Sequence, residues 1–491
     1  MTLPDRNLAE AAEAALERHG DHDALWFEGR WYRSGELHER ATRLAGGLRR
    51  LGVGPGDRVV VLMANCPEVG IAYNAIWRAG AVVTPAIFLL PPAELAHIVA
   101  DSGSRLILAS PELEGNAREA AGDAEVLRTD DFAGLEQGAP SPIVPPGGAD
   151  LAALMYTGGT TGRAKGVMLS HENLWFAGRS GHDAGYVPGI TRSLTALPLS
   201  HAFGLLVTVV GFHVREPHSS VLMRWFQPDA WLGLVQDHRA QIVAVVPSML
   251  KLLLAEPLED YDLSELRYIV CGAAPLPAET AQELLRRVPG VEIREGYGLT
   301  ESSAIVSSSP PGRARPGAVG TPVPGIDVRI DQPDKQGVGE ILVRSPAVML
   351  GYWQAAELTA DVLRDGWLHT GDLGFLDADG YLRVVDRKKD LIIRSGFNVF
   401  PRDVEEALLE HPAVTAAGVV GRPDELHGEE VVAFVELSSD DVGPEDLVAF
   451  GKERIGGYKY PREVHVVPSL PLTPVGKLDR KALRAQIEVT A

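Results

Sequence analysis

A chain of 491 residues exceeds one small domain, and at roughly 100–200 residues per domain it holds two to four units. Hydrophobic residues make up 45% and charged residues 23%, the balance of a folded globular chain, which excludes wholesale disorder. The formal charge of −20 argues against a broad nucleic-acid or anionic-membrane surface, because both need a basic face, yet it leaves room for a small cationic pocket around a phosphorylated ligand.

The first elements alternate. A surface helix begins at Leu8, where a secretory signal would need a basic start and an apolar run. Ser34 to Leu51 carries Leu37, Ala41, Leu44 and Leu48 at helical spacing. Arg58 to Met63 reads as a buried strand, Val69 to Ala79 as helix, Ala81 to Pro85 as strand, Glu94 to Ala100 as helix and Arg105 to Ala109 as strand. Strands alternating with helices predict a parallel sheet covered by helices. Gly138 to Asp150 reads as a linker, and a second α/β stretch follows with the helix Pro228 to Asp237 and strands at Ile242 to Pro247 and Leu266 to Cys271. Ser193 to Val214 has no Asp, Glu, Lys or Arg and is long enough to span a bilayer. Pro198, Ser200, His201 and His213 within it predict a buried strand, loop and helix instead, so no integral membrane segment is expected.

Ser307 to Gly325 is rich in Ser, Pro and Gly and reads as a boundary. Beyond it, Ile326 to Ile330, Gly339 to Arg344 and Gly380 to Val385 alternate with period two, which predicts a small antiparallel, barrel-like sheet. The last hundred or so residues read as a separate α+β unit, with a helix at Pro401 to Glu410 and strands at Val414 to Val420, Glu430 to Leu437 and Arg462 to Val467. The expected fold class is therefore α/β. A large N-terminal domain holds two α/β subdomains and the antiparallel subdomain, and a small mobile α+β domain closes the chain, divided at 1–386 and 387–491. The two cysteines, Cys66 and Cys271, fit a reducing cytoplasm and read as core residues.

Chemistry concentrates in Tyr156-Thr-Gly-Gly-Thr-Thr-Gly-Arg-Ala-Lys-Gly-Val-Met, after the strand-like Leu151 to Met155. Such a segment builds neither helix nor core; it offers backbone N–H groups, hydroxyls and the ammonium of Lys165, a composition for gripping phosphate. It is not a Walker loop, because Gly162 is not followed by Lys-Ser/Thr. The loop resembles the phosphate-binding signature of the adenylate-forming superfamily of acyl-CoA synthetases, peptide-synthetase adenylation domains and luciferases. Four further segments match that family in order: Tyr297-Gly-Leu-Thr-Glu, Thr370-Gly-Asp, Asp386-Arg-Lys-Lys-Asp and Pro471-Leu-Thr-Pro-Val-Gly-Lys. The glycine loop departs from the family's Ser-Gly-Thr-Thr-Gly-x-Pro-Lys-Gly, with Gly159 beside Gly158 and Ala164 in place of proline.

The resemblance implies a site. Thr157, Gly158, Gly159, Thr160, Thr161, Gly162 and Lys165 would hold ATP phosphates. Ala273, Ala274, Pro275, Tyr297 and Gly298 would bind the nucleotide, with Tyr297 stacked on adenine; alone, Tyr297 reads as fairly as a core tyrosine. Thr300 would meet the α-phosphate, and Glu301 offers Mg²⁺ a hard oxygen. Asp372 and Arg387 would take the ribose hydroxyls. Lys477 would bridge substrate carboxylate and α-phosphate, offsetting the repulsion of two anions. Lys389 would be the hinge of a domain swing, and Ser395, Gly396 and Phe397 would line a thiol tunnel. His201, Phe203, Gly204, Val246, Met249, Gly272 and Gly296 would form the acid pocket; His201 reads either as a gate or as a packed core histidine. No carboxylate, Arg or Lys stands among them, which favours an aromatic, arylpropenoic or medium-chain aliphatic acid.

The function so implied is ATP-dependent acid–coenzyme A ligation through an acyl-adenylate. Loading of an acyl-carrier protein, amide formation and a non-catalytic nucleotide-binding role stay open, as does monomer or homodimer. Lys452, Arg454, Lys459 and Arg462 read either as contacts for coenzyme A phosphates or as a solvated basic face.

Overall fold

The computed structural model describes residues 7–144, 150–157, 164–439, 441–473 and 478–490. The chain divides into two compact units, one of Met1–Val328, Val343–His369 and Ala378–Leu382, the other of Arg329–Leu342, Thr370–Asp377 and Arg383–Ala491.

The first unit holds two sheets. One has seven strands, in the order Gly351–Tyr352, Lys165–Ser170, Leu151–Thr157, Val82–Pro85, Arg58–Leu62, Leu106–Ala109 and Glu125–Arg128. From Leu151–Thr157 onward all neighbours are parallel, as the alternating sequence predicted. The other has nine strands and a parallel centre made of Glu292–Tyr297, Tyr268–Cys271, Ile242–Val245, Arg192–Thr195, Ser219–Leu222 and Asp23–Phe27. Helices cover one face of these strands, where Leu194, Val243, Ile269 and Ile293 stand in register and, with Val245, share one buried cluster with Trp231, Leu250 and Leu284 of the helices.

Asn65, 1% exposed, joins the two sheets. It follows the strand Arg58–Leu62, and its amide donates to the carbonyls of Leu197 at 2.9 Å and Met223 at 3.1 Å, beyond strands of the nine-stranded sheet.

The stretch 193–214 is a strand, a loop and the helix Ala202–Val210, as expected, and no helix among the described residues is long and apolar enough to cross a membrane. The antiparallel sheet begins at Asp327, just after Ser307 to Gly325, where the change of pattern was expected. Ser307–Ser308 and Thr321–Pro322 are short strands at the edge of the nine-stranded sheet, and the segment lies within the first unit. Linker-like composition was satisfied by edge pairing.

Residues 327–387 contribute a five-stranded sheet in the order Asp327–Asp331, Gly339–Arg344, Trp367–Leu376, Leu363–Arg364, with Leu382–Arg387 also on Trp367–Leu376. The C-terminal part is α+β. Its central strand, Gly428–Leu437, is buried on both faces: Val431, Ala433 and Val435 pack with the helix residues Val404, Leu408 and Leu447, while Val432 and Phe434 pack with Leu483 and Ile487.

Candidate functional site

Four neighbouring parallel strands of the nine-stranded sheet end where predicted site segments begin. Thr195 leads to Pro198–Gly204, Val245 to Val246–Met249, Cys271 to Gly272–Pro275, and Tyr297 to Gly298–Glu301. Open α/β sheets bind ligands outside the carboxyl ends of their strands, so the sheet gathers these residues for a geometric reason. A Cβ built at Gly272 would stand 3.2 Å from the Gly296 carbonyl oxygen and 3.8 Å from the Phe203 ring, so two of the segments converge beside the end of the strand Glu292–Tyr297. Met249 is buried in the sheet core, with half-buried Phe203 and Val246 packed against that cluster.

His201 caps the helix Ala202–Val210: its Nδ1 accepts the Phe203 N–H at 3.2 Å, which places the proton of the neutral ring on Nε2. Ala273 sits in the left-handed region at φ 69°, Ala274 is half-buried and Pro275 exposed.

Tyr297 ends its strand, and its carbonyl accepts the Val306 N–H at 2.8 Å. Gly298 is required here, since a Cβ would lie 2.3 Å from the Ala304 carbonyl carbon. Thr300, Glu301 and Ser302 make one 3-10 turn, fixed by the Met349 N–H to the Glu301 carbonyl at 2.9 Å and by Ser303 Oγ to the Ala347 carbonyl at 2.8 Å.

The segment read as phosphate-gripping begins and ends on two paired strands. Thr157 and Lys165 pair across Leu151–Thr157 and Lys165–Ser170, while Gly158, Gly159, Thr160, Thr161 and Gly162 lie outside the described residues. At the ends of these strands, the Ala164 carbonyl bonds His97 Nε2 at 3.0 Å, and Tyr156 donates to Asp101 at 2.6 Å. Lys165 Nζ stands 5.6 Å from the centroid of the Tyr352 ring, and the Tyr352 hydroxyl donates to Glu301 Oε1 at 2.8 Å. Glu301 is half-buried, and Oε2 accepts no hydrogen bond among the described residues; a carboxylate with one oxygen anchored and one available suits Mg²⁺, which takes only one or two carboxylates.

The second unit carries the other predicted residues. Asp372, 5% exposed, pairs with Arg387 Nε at 3.3 Å. Its turn is held by Glu340, which accepts the Gly371 N–H at 3.1 Å and pairs with Lys388 at 2.9 Å. Lys389 is exposed beside buried Asp390, which pairs with Arg484 at 2.8 Å. Ser395 and Gly396, at φ 51° and 79°, form the two-residue turn of the hairpin Ile392–Arg394 and Phe397–Val399, a geometry matched to strand twist. Phe397 is 55% exposed, with its ring 4.9 Å from that of Tyr458. Lys477 lies outside the described residues.

The basic residues considered for coenzyme A have partners at hand. Lys459 pairs with Asp403 at 2.7 Å, Arg454 with Glu410 at 3.3 Å, and Arg462 donates to the carbonyls of Tyr460 and Gly457 at 2.7 Å each. Cys66 and Cys271 are buried and unlinked. Burial pushes the Cys66 thiol up and the Cys271 thiol to about 12, so neither is a nucleophile at neutral pH. Sequence reasoning missed Tyr352, Glu340, His97 and Asn65, whose roles depend on distant partners and which carry no motif.

The chain is similar to known proteins along most of its length. The family model "AMP-binding enzyme" matches residues 12–353, and "AMP-binding enzyme C-terminal domain" matches 403–477. A feruloyl-CoA synthase from Amycolatopsis sp is 37% identical, over 98% of this chain and 97% of the relative. A long-chain-fatty-acid–CoA ligase from Bacillus subtilis (strain 168) is 32% identical over 98% and 95%. Among solved structures, ATP-bound MatB from Rhodopseudomonas palustris superposes with TM-score 0.90 at 31% identity, covering 98% of this chain and 99% of that one. The amide bond synthetase McbA from Marinactinospora thermotolerans gives 0.87 at 32%, covering 98% and 99%.

Proposed function

This chain belongs to the AMP-binding enzyme family, and we propose from that premise that it is an ATP-dependent carboxylic acid–coenzyme A ligase acting on an aromatic, arylpropenoic or medium-chain aliphatic acid. In the first half-reaction a substrate carboxylate oxygen attacks the α-phosphorus of ATP, the bond to the bridging oxygen breaks and pyrophosphate leaves. In the second, a thiol loses its proton and attacks the acyl carbon, and AMP leaves as the thioester forms. The protein's part is positioning and charge neutralisation, with no side-chain nucleophile.

Lys165 and the loop Thr157–Gly162 are assigned the phosphates, Thr300 the α-phosphate, Tyr297 the adenine, and Asp372 with Arg387 the ribose. Glu301 would hold Mg²⁺, which neutralises phosphate charge when bound. Lys477 is assigned the approach of the two anions in the first half-reaction. A hinge at Lys389 and a thiol tunnel at Ser395, Gly396 and Phe397 belong to the same reading, with the division at 1–386 and 387–491. The chain is read as cytoplasmic, where ATP and coenzyme A are supplied.

The convergence of Phe203, Gly272 and Gly296 at the carboxyl ends of adjacent strands carries the choice of acid. The pocket residues bring no ammonium, guanidinium or carboxylate, which supports an apolar acid over an amino acid or a dicarboxylate. Similarity to feruloyl-CoA synthase supports the arylpropenoic case. Similarity to an amide bond synthetase favours one second reading, in which an amine replaces the thiol. ATP–pyrophosphate exchange across a panel of cinnamic, benzoic, C6–C12 and dicarboxylic acids tests the first half-reaction. Coenzyme A, an acyl-carrier protein or an amine, each added alone, then identifies the acceptor. Exchange driven only by dicarboxylic acids would sink the assignment of the pocket.

A further inference from the structure

A phosphate-gripping lysine and a cation-binding glutamate obstruct one another if they pair directly, because each then withdraws the other from the ligand. In this chain a tyrosine stands between them. Lys165 Nζ lies 5.6 Å over the Tyr352 ring, and the Tyr352 hydroxyl holds Glu301 Oε1 at 2.8 Å. Among the described residues Lys165 makes no ion pair. The backbone around Tyr352 is fixed from several sides. Gly351 and Tyr352 pair with Met168 and Val167 of the strand that begins at Lys165. The Trp353 N–H reaches the Gly166 carbonyl at 2.7 Å, the Met349 N–H reaches the Glu301 carbonyl at 2.9 Å, and the Tyr352 N–H reaches Thr359 Oγ1 at 2.9 Å. One short segment is thus bonded to the phosphate hairpin on one side and to the Glu301 turn on the other.

We propose that Tyr352 is a positioning residue that keeps Lys165 and Glu301 apart and aligned, its ring face carrying the ammonium and its hydroxyl fixing Oε1 so that Oε2 serves the nucleotide-bound cation. This rests on the reading of Glu301 as the cation ligand. It separates two effects in one side chain: the hydroxyl governs the metal, and the ring governs the phosphate.

The test is binding of Mn²⁺ to the protein–ATP complex, followed by electron paramagnetic resonance, beside calorimetry of ATP binding in chelator. Tyr352→Phe is expected to raise the Mn²⁺ dissociation constant about tenfold and to leave metal-free ATP binding within about twofold of the parent. Tyr352→Leu is expected to weaken both. In a Glu301→Gln chain, Tyr352→Phe should add nothing. Tyr352→Phe with unchanged Mn²⁺ affinity, while Glu301→Gln weakens it, overturns the inference and leaves the reading of Glu301 standing. Glu301→Gln with unchanged Mn²⁺ affinity overturns both. If Tyr352→Phe folds poorly, 3-fluorotyrosine at position 352 alters the donor without altering the packing; a shift in Mn²⁺ affinity is then expected, and none counts against the proposal.

Discussion

The Leu199 N–H donates to Asn65 Oδ1 at 2.9 Å across 134 residues of sequence, so one buried side chain holds the loop that ends at His201. The same amide donates to Leu197 and Met223, and Tyr73 donates to the Leu199 carbonyl at 3.1 Å. Asn65→Ala strands buried backbone groups, each costing about 1–3 kcal/mol, so a loss of roughly 2–4 kcal/mol is expected in urea denaturation. Asn65→Asp keeps the acceptor but loses both donated bonds and buries a charge, and should destabilise at least as much. A drop below 1 kcal/mol for both would show that the two sheets are held by packing alone.

Lys477→Ala should abolish adenylate formation and leave thioester formation from supplied acyl-AMP. Pyrophosphate release and single-turnover thioester yield measure the two halves separately. Undiminished pyrophosphate release would remove Lys477 from the first half-reaction.

Asp372→Asn should raise the KM for ATP about tenfold, the equivalent of ~1.4 kcal/mol, with little change in KM for the acid. The carboxylate is buried and pairs with Arg387, so the neutral amide weakens acceptance from the ribose and loses that ion pair together. Equal changes in both KM values would point to a general structural role.

Acid should destabilise the first unit in a definite window. His171 is fully buried, and His213 and His218 partly so; burial holds each near 4, against roughly 6.5 in an unfolded chain. Between those values the unfolded state binds more protons, so stability falls as pH drops from about 6.5 towards 4 and levels off below. Protonating His171 also removes the acceptor of the Leu8 N–H at 3.2 Å. Urea midpoints at pH 7, 5.5 and 4.5 should decline, and His171→Gln should flatten the slope. A flat profile for the parent chain would contradict this.

Periodicity made the fold legible where one pattern ran uninterrupted. The helix Pro228–Asp237 and the strand Gly339–Arg344 lie at the residues the spacing predicted. The strand expected to end at Val420 runs to Asp424, through Gly421 and Pro423, because Gly428–Leu437 pairs with it to the end. Pairing partners, which a local pattern does not contain, decided that boundary, and they also gave the Ser-, Pro- and Gly-rich stretch Ser307–Gly325 two short edge strands that its composition does not announce. At the site, residues within a motif could be named, while Tyr352 and Asn65 could not. Each acts on a partner 51 or 134 positions away and looks, by itself, like any buried tyrosine or asparagine.

The strand Gly428–Leu437 has strand neighbours on both edges and apolar side chains on both faces. No local fluctuation can bare its middle amides without dismantling the sheet around it. Val431 to Val435 should therefore be the last protons in the second unit to exchange with deuterium, and their exchange rate measures the free energy of opening that whole unit, independent of any ligand or catalytic assay.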